Sequence, residues 1–351
     1  MAFAILNKKG GFFMYTVGIY DSANTVRLEQ RPKPQIGRTD VLLRNLRGGI
    51  CGTDINIVKY GTEMGIRFGQ EFGHELAGVI EAVGEDVKDL EVGMFVAVNP
   101  ITAKRAGRRY SLEVGGFSQY VVIEDAAKNY NLFPLNDTVT PEEGALVEPM
   151  SVGCHGAFSV KPQPNENIVI LGAGPIGLSA AAMLIGEGIT NVAVVDMVDW
   201  RLQKAAEIGA KTIDTSKVDL NEALSELFGT VNVYGYDRPN VDAFVDAAGA
   251  APLLKQVVSL TKPFARLAII AVYKEEVPVN LTTVMSNELQ IIGASGYTTD
   301  DFLRVIAHLN DKKTPISTIV TQVYPLSELQ QAFDTAIAAT DSIKVIVDVT
   351  K

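Results

Sequence analysis

The chain has 351 residues, 47% of them hydrophobic and 21% charged, a globular composition with enough length for two domains with separate cores. A formal net charge of -10 weighs against nonspecific binding to nucleic acid or to an anionic membrane. The only two cysteines, Cys51 and Cys154, lie far apart and offer no disulfide framework, which suits a reducing, cytoplasmic setting.

Met1 to Phe13 holds a short apolar run, then Lys8, Lys9 and paired glycines, without the cleavage pattern of a secretory signal. Met14 is the more natural start, so residues 1–13 read as an extension. From there to residue 157, short apolar runs (Val41 to Leu43, Leu76 to Val83, Phe95 to Val98, Tyr120 to Ile123) are separated by Gly, Pro and Asp, as in a β-rich domain. Between two of them Lys104-Arg105 and Arg108-Arg109 read as a solvated loop rather than as an anion site.

From residue 158 to residue 297 strands and helices alternate. Strands are predicted over Ile168 to Leu171, Val192 to Val195, Ala243 to Asp246, Arg266 to Val272 and Leu289 to Ile292, and helices over Ile176 to Glu187, Asp199 to Ile208 and Pro252 to Leu260. That order gives βαβ units and a doubly wound parallel sheet, so the fold class is α/β with a second, β-rich domain. Ile168 to Gly186 is free of charge and almost long enough to span a bilayer, but its Gly-Ala-Gly-Pro centre and lack of a basic flank mark a soluble core. Residues 298–351 return to the first domain, ending in a strand over Lys344 to Val349.

Gly172, Gly174 and Gly177 occupy the glycine positions of G-x-G-x-x-G between a buried strand and an Ala-rich helix. The first permits a tight turn, the second lets the backbone approach a pyrophosphate, and the third lets helix pack on strand. Free N–H groups at the helix start can bind phosphate, so Pro175 and Ile176, which open that helix, are cofactor-binding candidates. Asp196 closes the next strand, where a carboxylate accepts hydrogen bonds from ribose hydroxyls and repels a 2′-phosphate, so the cofactor reading is NAD rather than NADP; Arg201 is a further cofactor-binding candidate.

Three histidines exist, His74, His155 and His308. The segments Gly49-Ile50-Cys51-Gly52-Thr53-Asp54, Gly73-His74-Glu75 and Val147-Glu148-Pro149 together offer a thiolate, an imidazole and two carboxylates, all suitable for Zn²⁺. Residue types alone leave the blander reading, a buried cysteine and a hydrogen-bonded histidine, in front.

These three segments, followed by Gly172-Ala173-Gly174-Pro175-Ile176-Gly177, resemble the zinc-dependent medium-chain dehydrogenase/reductase family, most closely its polyol branch of sorbitol and related diol dehydrogenases, from about Met14 to the C-terminus. The resemblance implies a GroES-like catalytic domain, completed by the C-terminal tail, beside an NAD-binding Rossmann domain. It implies one catalytic zinc on Cys51 and His74, with Glu75 or Glu148 as ligand or as partner of zinc-bound water, and Thr53 as first proton acceptor. It also implies a homodimer or homotetramer with Leu281 to Gly296 as contact region.

The chemistry agrees with that resemblance. A free alcohol has a pKa of about 16, which Zn²⁺ can bring to roughly 7, a difference of about 12 kcal/mol. The metal-free alternative, a tyrosine with lysine four residues later, is absent from all eleven tyrosines.

Three departures stand against the family pattern. The region Pro100 to Gly116 has no cysteine, which rules out a structural zinc there. Asn56 replaces a relay histidine, and Gly296-Tyr297 stands where polyol members carry Arg-Tyr, which disfavours a sorbitol-like substrate. Phe117 and Tyr297 are substrate-pocket candidates. His155 reads as a helix packing residue and His308 as a helix position near the surface. The rival readings are a threonine or glucose dehydrogenase of the same family, a zinc-free NADPH quinone reductase, and a non-catalytic NAD-binding protein.

Overall fold

The computed structural model describes residues 13–105, 108, 109 and 112–351. The extension assigned to residues 1–13 and the side chains of Lys104, Arg105, Arg108 and Arg109 therefore lie almost wholly outside the described residues. The backbone of those four forms a two-stranded antiparallel pair rather than a loop. Two compact units emerge, one of residues up to Glu148 together with Val320–Lys351, the other Pro149–Ile319.

The first unit is built on strand Val41–Gly49, whose opening residues Val41, Leu42 and Leu43 are all buried. It pairs antiparallel with Glu75–Val83, Tyr120–Ile123 and Lys344–Asp348. The sheet runs Val320–Pro325, Lys344–Asp348, Val41–Gly49, Glu75–Val83, Phe95–Val98, Leu132–Pro134, with Tyr120–Ile123 off this path. This is the GroES-like β domain. Val320–Pro325 and Lys344–Asp348 run parallel and are joined through helix Leu329–Ala338, so the C-terminal tail enters the sheet as a βαβ unit. Phe333 of that helix meets Phe72 and Phe117 with ring centroids 5.6 and 5.3 Å apart, and those two rings lie 5.2 Å from each other. Phe117 is fully buried in this cluster, so it is a core residue and does not line a substrate pocket.

The second unit holds a six-stranded parallel sheet in the order Lys211–Asp214, Val192–Asp196, Ile168–Leu171, Ala243–Asp246, Arg266–Ile269, Gln290–Gly293. In chain order that is 3-2-1-4-5-6, the Rossmann arrangement, whose topological switch lies between Ile168–Leu171 and Ala243–Asp246. Its near-continuous apolar strands follow from burial on both faces. An antiparallel hairpin over Thr230–Val233 and Tyr236–Pro239 is an addition that alternating-pattern reading does not reveal.

Helix Thr299–Asn310 buries Phe302, Val305, Ile306 and Leu309 and packs against Pro175–Gly186. The chain therefore leaves this unit at Ile319, later than residue 297. His308 on this helix is fully buried rather than near the surface. Its Nε2 lies 2.8 Å from Thr314 Oγ1, while Nδ1 has no hydrogen-bond partner among the described residues. Burial pulls its pKa from 6.5 down to about 4. The folded chain thus holds His308 neutral where the unfolded chain takes up a proton. Its contribution is complete above pH 6.5 and is lost as pH falls towards 4. Between pH 7 and pH 4 we expect His308→Gln to lose about 3 kcal/mol less stability than the parent in urea titrations. Parallel loss in the two proteins would show that His308 does not titrate in this way.

Candidate metal and cofactor sites

Cys51 caps helix Gly52–Tyr60. Its Sγ accepts the Thr53 N–H at 3.5 Å, and its own N–H is donated to Asp54 Oδ2 at 3.0 Å. The cap fixes Cys51, Thr53 and Asp54 as one rigid turn, with Asp54 fully buried and Thr53 half-buried. His74 stands just before strand Glu75–Val83. Its Nδ1 faces Asp54 Oδ1 at 3.6 Å, and neither atom has a hydrogen-bond partner among the described residues. Burial alone would pull the His74 pKa down, but Asp54, a side-chain hydrogen bond with Cys51 and the charge of Glu148 together hold it well above the usual histidine value. Burial pushes Asp54 up to about 6, against the opposing pull of His74. Cys51, His74 and Glu148 therefore share one small anionic region of the first unit.

Glu75 is turned elsewhere. Both of its carboxylate oxygens accept from Lys344 Nζ, at 2.7 and 2.8 Å, and Lys344 also donates to the Ile50 carbonyl at 3.1 Å. Glu75 is 1% and Lys344 2% exposed, so this is a buried ion pair. Strand register creates it. Glu75 lies opposite Gly49, Gly49 lies opposite Ile346, and a Cβ on Gly49 would sit 2.1 Å from Glu75 Oε2. Glycine at 49 leaves the slot through which the carboxylate reaches lysine. Burial would lower the Lys344 pKa, but Glu75, Cys51 and Glu148 raise it.

The donor set fits zinc: a sulfur and an imidazole in contact, a carboxylate backing the imidazole at Nδ1, and an anionic field that a cation relieves. Among the described residues, no three His, Cys, Asp or Glu side chains converge on one point. Cys51 and His74 are in contact, Glu148 reaches them through its charge, and Glu75 is withdrawn onto Lys344.

In the second unit the glycines divide their work as their positions require. Gly172 turns with φ +99°, and its N–H is donated to the Val195 carbonyl at 2.8 Å. A Cβ on Gly177 would lie 1.9 Å from the Gly172 carbonyl oxygen, so helix Pro175–Gly186 packs at glycine distance. Gly174 caps that helix, Pro175 stands at its first position, and nothing lies within 4 Å of where a Gly174 Cβ would be. That open cradle at a helix N-terminus suits a pyrophosphate. Asp196 Oδ2 accepts the Ala173 N–H at 2.7 Å, and Oδ1 accepts those of Met197 and Val198 at 2.7 and 3.0 Å. Arg201, in the first turn of helix Asp199–Ile208, sets its guanidinium 5.5 Å from the Trp200 ring centre.

Residues 37–137 match the family model of the alcohol dehydrogenase GroES-like domain, and residues 175–311 that of the zinc-binding dehydrogenases. The sorbitol dehydrogenase of Bacillus subtilis (strain 168) is 30% identical over 349 residues, spanning 94% of this chain and 96% of its own. The chain belongs to the zinc-binding alcohol dehydrogenase family. It is an oxidoreductase, as the family's members are. The solved 2R,3R-butanediol dehydrogenase from Bacillus subtilis superposes with a TM-score of 0.82 at 25% identity, covering 95% of this chain and 99% of that one. An Escherichia coli CFT073 structure described as a short chain alcohol dehydrogenase complexed with NADH gives 0.81 at 26%, with the same coverage.

Lys344 is the residue of this family member's site that sequence reasoning passes over. Its signal was present: one lysine heading the apolar run Val345 to Val347 of strand Lys344–Asp348. Among the other sequence candidates, Tyr297 is half-buried and packs its ring 5.7 Å from that of Phe302. His155 pairs with Asp301 at 2.9 Å through Nδ1 rather than with any carboxylate of the metal region. Removing the ammonium while leaving Glu75 buried should be costly. Lys344→Met is expected to lower unfolding free energy by about 3–5 kcal/mol in a denaturant titration, and Lys344→Met with Glu75→Gln to recover much of it. A Lys344→Met loss under about 1 kcal/mol would mean that the pair is not buried as described.

Proposed function

We propose that the protein oxidises a secondary hydroxyl of a small diol, polyol or sugar to a ketone with NAD as hydride acceptor, and that Cys51, His74 and Glu148 hold one catalytic zinc. The observation that carries this reading is the Cys51–His74 contact, buried in an anionic region with Asp54 behind the imidazole and Glu75 already neutralised by Lys344. Binding requires Glu148 to close onto that pair. Zinc, when bound, supplies the Lewis acidity that makes an alcohol proton removable near neutral pH. Thr53, fixed in the turn that Cys51 caps, takes that proton first. Asn56 is exposed and its amide cannot relay it, so the onward path runs through water or a ribose hydroxyl. Gly174 and the start of helix Pro175–Gly186 bind the pyrophosphate, and Asp196 selects NAD by facing the ribose hydroxyls.

Gly296 provides no cation to grip a distal hydroxyl, which favours a small diol over a hexitol. Strand Gln290–Gly293 is an open sheet edge preceded by helix Leu281–Ser286, on which Leu281 and Met285 are 75% and 69% exposed. That edge is our choice for the contact of a homodimer or homotetramer.

Zinc-reconstituted protein should produce NADH absorbance with small secondary diols and prefer NAD to NADP. Cys51→Ser should lose bound zinc and more than about a hundredfold in kcat/KM. Zinc retained by Cys51→Ser, or no NADH formed by the zinc-loaded parent across a broad alcohol panel, would overturn the proposal.

A further inference from the structure

Asp246 ends strand Ala243–Asp246, directly across the topological switch from the end of strand Ile168–Leu171, and the register pairs it with Leu171. The crevice outside the carboxyl ends of these two strands is where doubly wound sheets bind dinucleotides. Asp246 is 1% exposed and is hydrogen-bonded by two of the segments that meet there. Its Oδ1 accepts the N–H groups of Ala248 and Gly249, at 3.0 and 3.1 Å. Its main-chain carbonyl accepts those of Ile270 and Ala271, both at 3.0 Å. Its Oδ2 accepts a hydrogen bond from the Tyr273 hydroxyl. Ala248 in turn forms the wall of the glycine turn, since a Cβ on Gly172 would lie 3.1 Å from the Ala248 Cα.

Tyr273 belongs to an otherwise outward-facing segment, with Val272 90% exposed and Lys274, Glu275 and Glu276 exposed. Its ring lines an apolar cavity of about 240 Å³ with Leu254, Val258, Leu267, Ile269 and Val277. Burial and the hydrogen bond to Asp246 push the hydroxyl's pKa upward, so it stays protonated and remains a donor. A tyrosine seated by its ring and tied by its oxygen is a latch. It joins the segment after strand Arg266–Ile269 to the turn Ala247–Gly249.

We propose that Tyr273, acting through Asp246, is a positioning residue for the dinucleotide: it holds Ala247–Gly249 against the Gly172 turn in the arrangement that the bound cofactor requires. The proposal rests on the dinucleotide reading of Gly172–Gly177. Removing the hydroxyl leaves the ring's packing intact and one carboxylate oxygen of Asp246 without its donor, so the turn is free to drift.

The test is NADH binding to the zinc-loaded protein, followed by fluorescence titration, in the parent, in Tyr273→Phe and in Val272→Ala. Tyr273→Phe should weaken NADH binding about five- to tenfold and raise the KM for NAD similarly. Its zinc content, its kcat at saturating NAD and its KM for the alcohol should stay within twofold of the parent, and Val272→Ala should bind like the parent. An NADH Kd within twofold of the parent for Tyr273→Phe would overturn the proposal. A parent that binds no NADH would instead sink the dinucleotide reading itself. Should Tyr273→Phe not be recovered folded, amide hydrogen exchange of the parent decides. NADH should slow exchange at Ala248, Gly249, Ile270 and Ala271, and unchanged protection there refutes the latch.

Discussion

The buried pair of Glu75 and Lys344 is the constraint around which the first unit is arranged. Taking a carboxylate and an ammonium out of water costs several kcal/mol for each ion, and only close, multiply hydrogen-bonded geometry offsets it. Here both carboxylate oxygens meet the ammonium, and the Ile50 carbonyl takes another of its protons. That geometry demands three strands in fixed register. Glu75 must lie opposite Gly49, and the last strand must lie against Val41–Gly49. A one-residue slip would turn either charge to the opposite face and leave the other unpaired. The chain's C-terminal strand is thereby tied to the segments that carry Cys51 and His74, which follow Gly49 and precede Glu75.

The same pair sets the electrostatics of the candidate metal centre. Without Lys344, a third carboxylate would join Asp54, Glu148 and the cysteine around one imidazole. With it, Glu75 is neutralised and withdrawn, and the field that remains centres on His74, which it holds well above the usual histidine value despite burial. A site that concentrates negative charge on a buried imidazole in contact with sulfur is prepared for a cation. The second unit meets its own demand differently, with backbone rather than charge: a glycine turn, an uncovered helix start, and two aspartates, Asp196 and Asp246, whose oxygens fix the turns on either side.

Much of this was legible in the sequence because the signals are local. The strand, glycine turn, helix and terminal acid of the dinucleotide site are contiguous, so the order of residues and the order of contacts coincide. The first unit's strands also announced themselves as short apolar runs separated by Gly, Pro and Asp. What escaped depends on distant pairing. Nothing around Lys344 shows that it will lie against Glu75, because their meeting depends on the register of the two strands that Val41–Gly49 separates. Glu75 and Glu148 are chemically equivalent on paper, and only that partner distinguishes them. Phe117 looked like a pocket residue until Phe72 and Phe333, one upstream and one near the C-terminus, enclosed it. His308 read as a helix position near the surface. Its burial comes from packing against Pro175–Gly186, which no local pattern encodes.

The central claim is that one sulfur and one imidazole nitrogen of the first unit bind a single ion, with the withdrawn Glu75 playing no direct part. X-ray absorption at the zinc edge of the reconstituted protein tests it most directly. One zinc per chain should show one sulfur at about 2.3 Å, with the rest of the shell nitrogen and oxygen at about 2.0–2.1 Å. The shell should be unchanged in Glu75→Gln. A shell without sulfur, a shell with two sulfurs, or a shell that loses an oxygen when Glu75 is replaced would contradict the account.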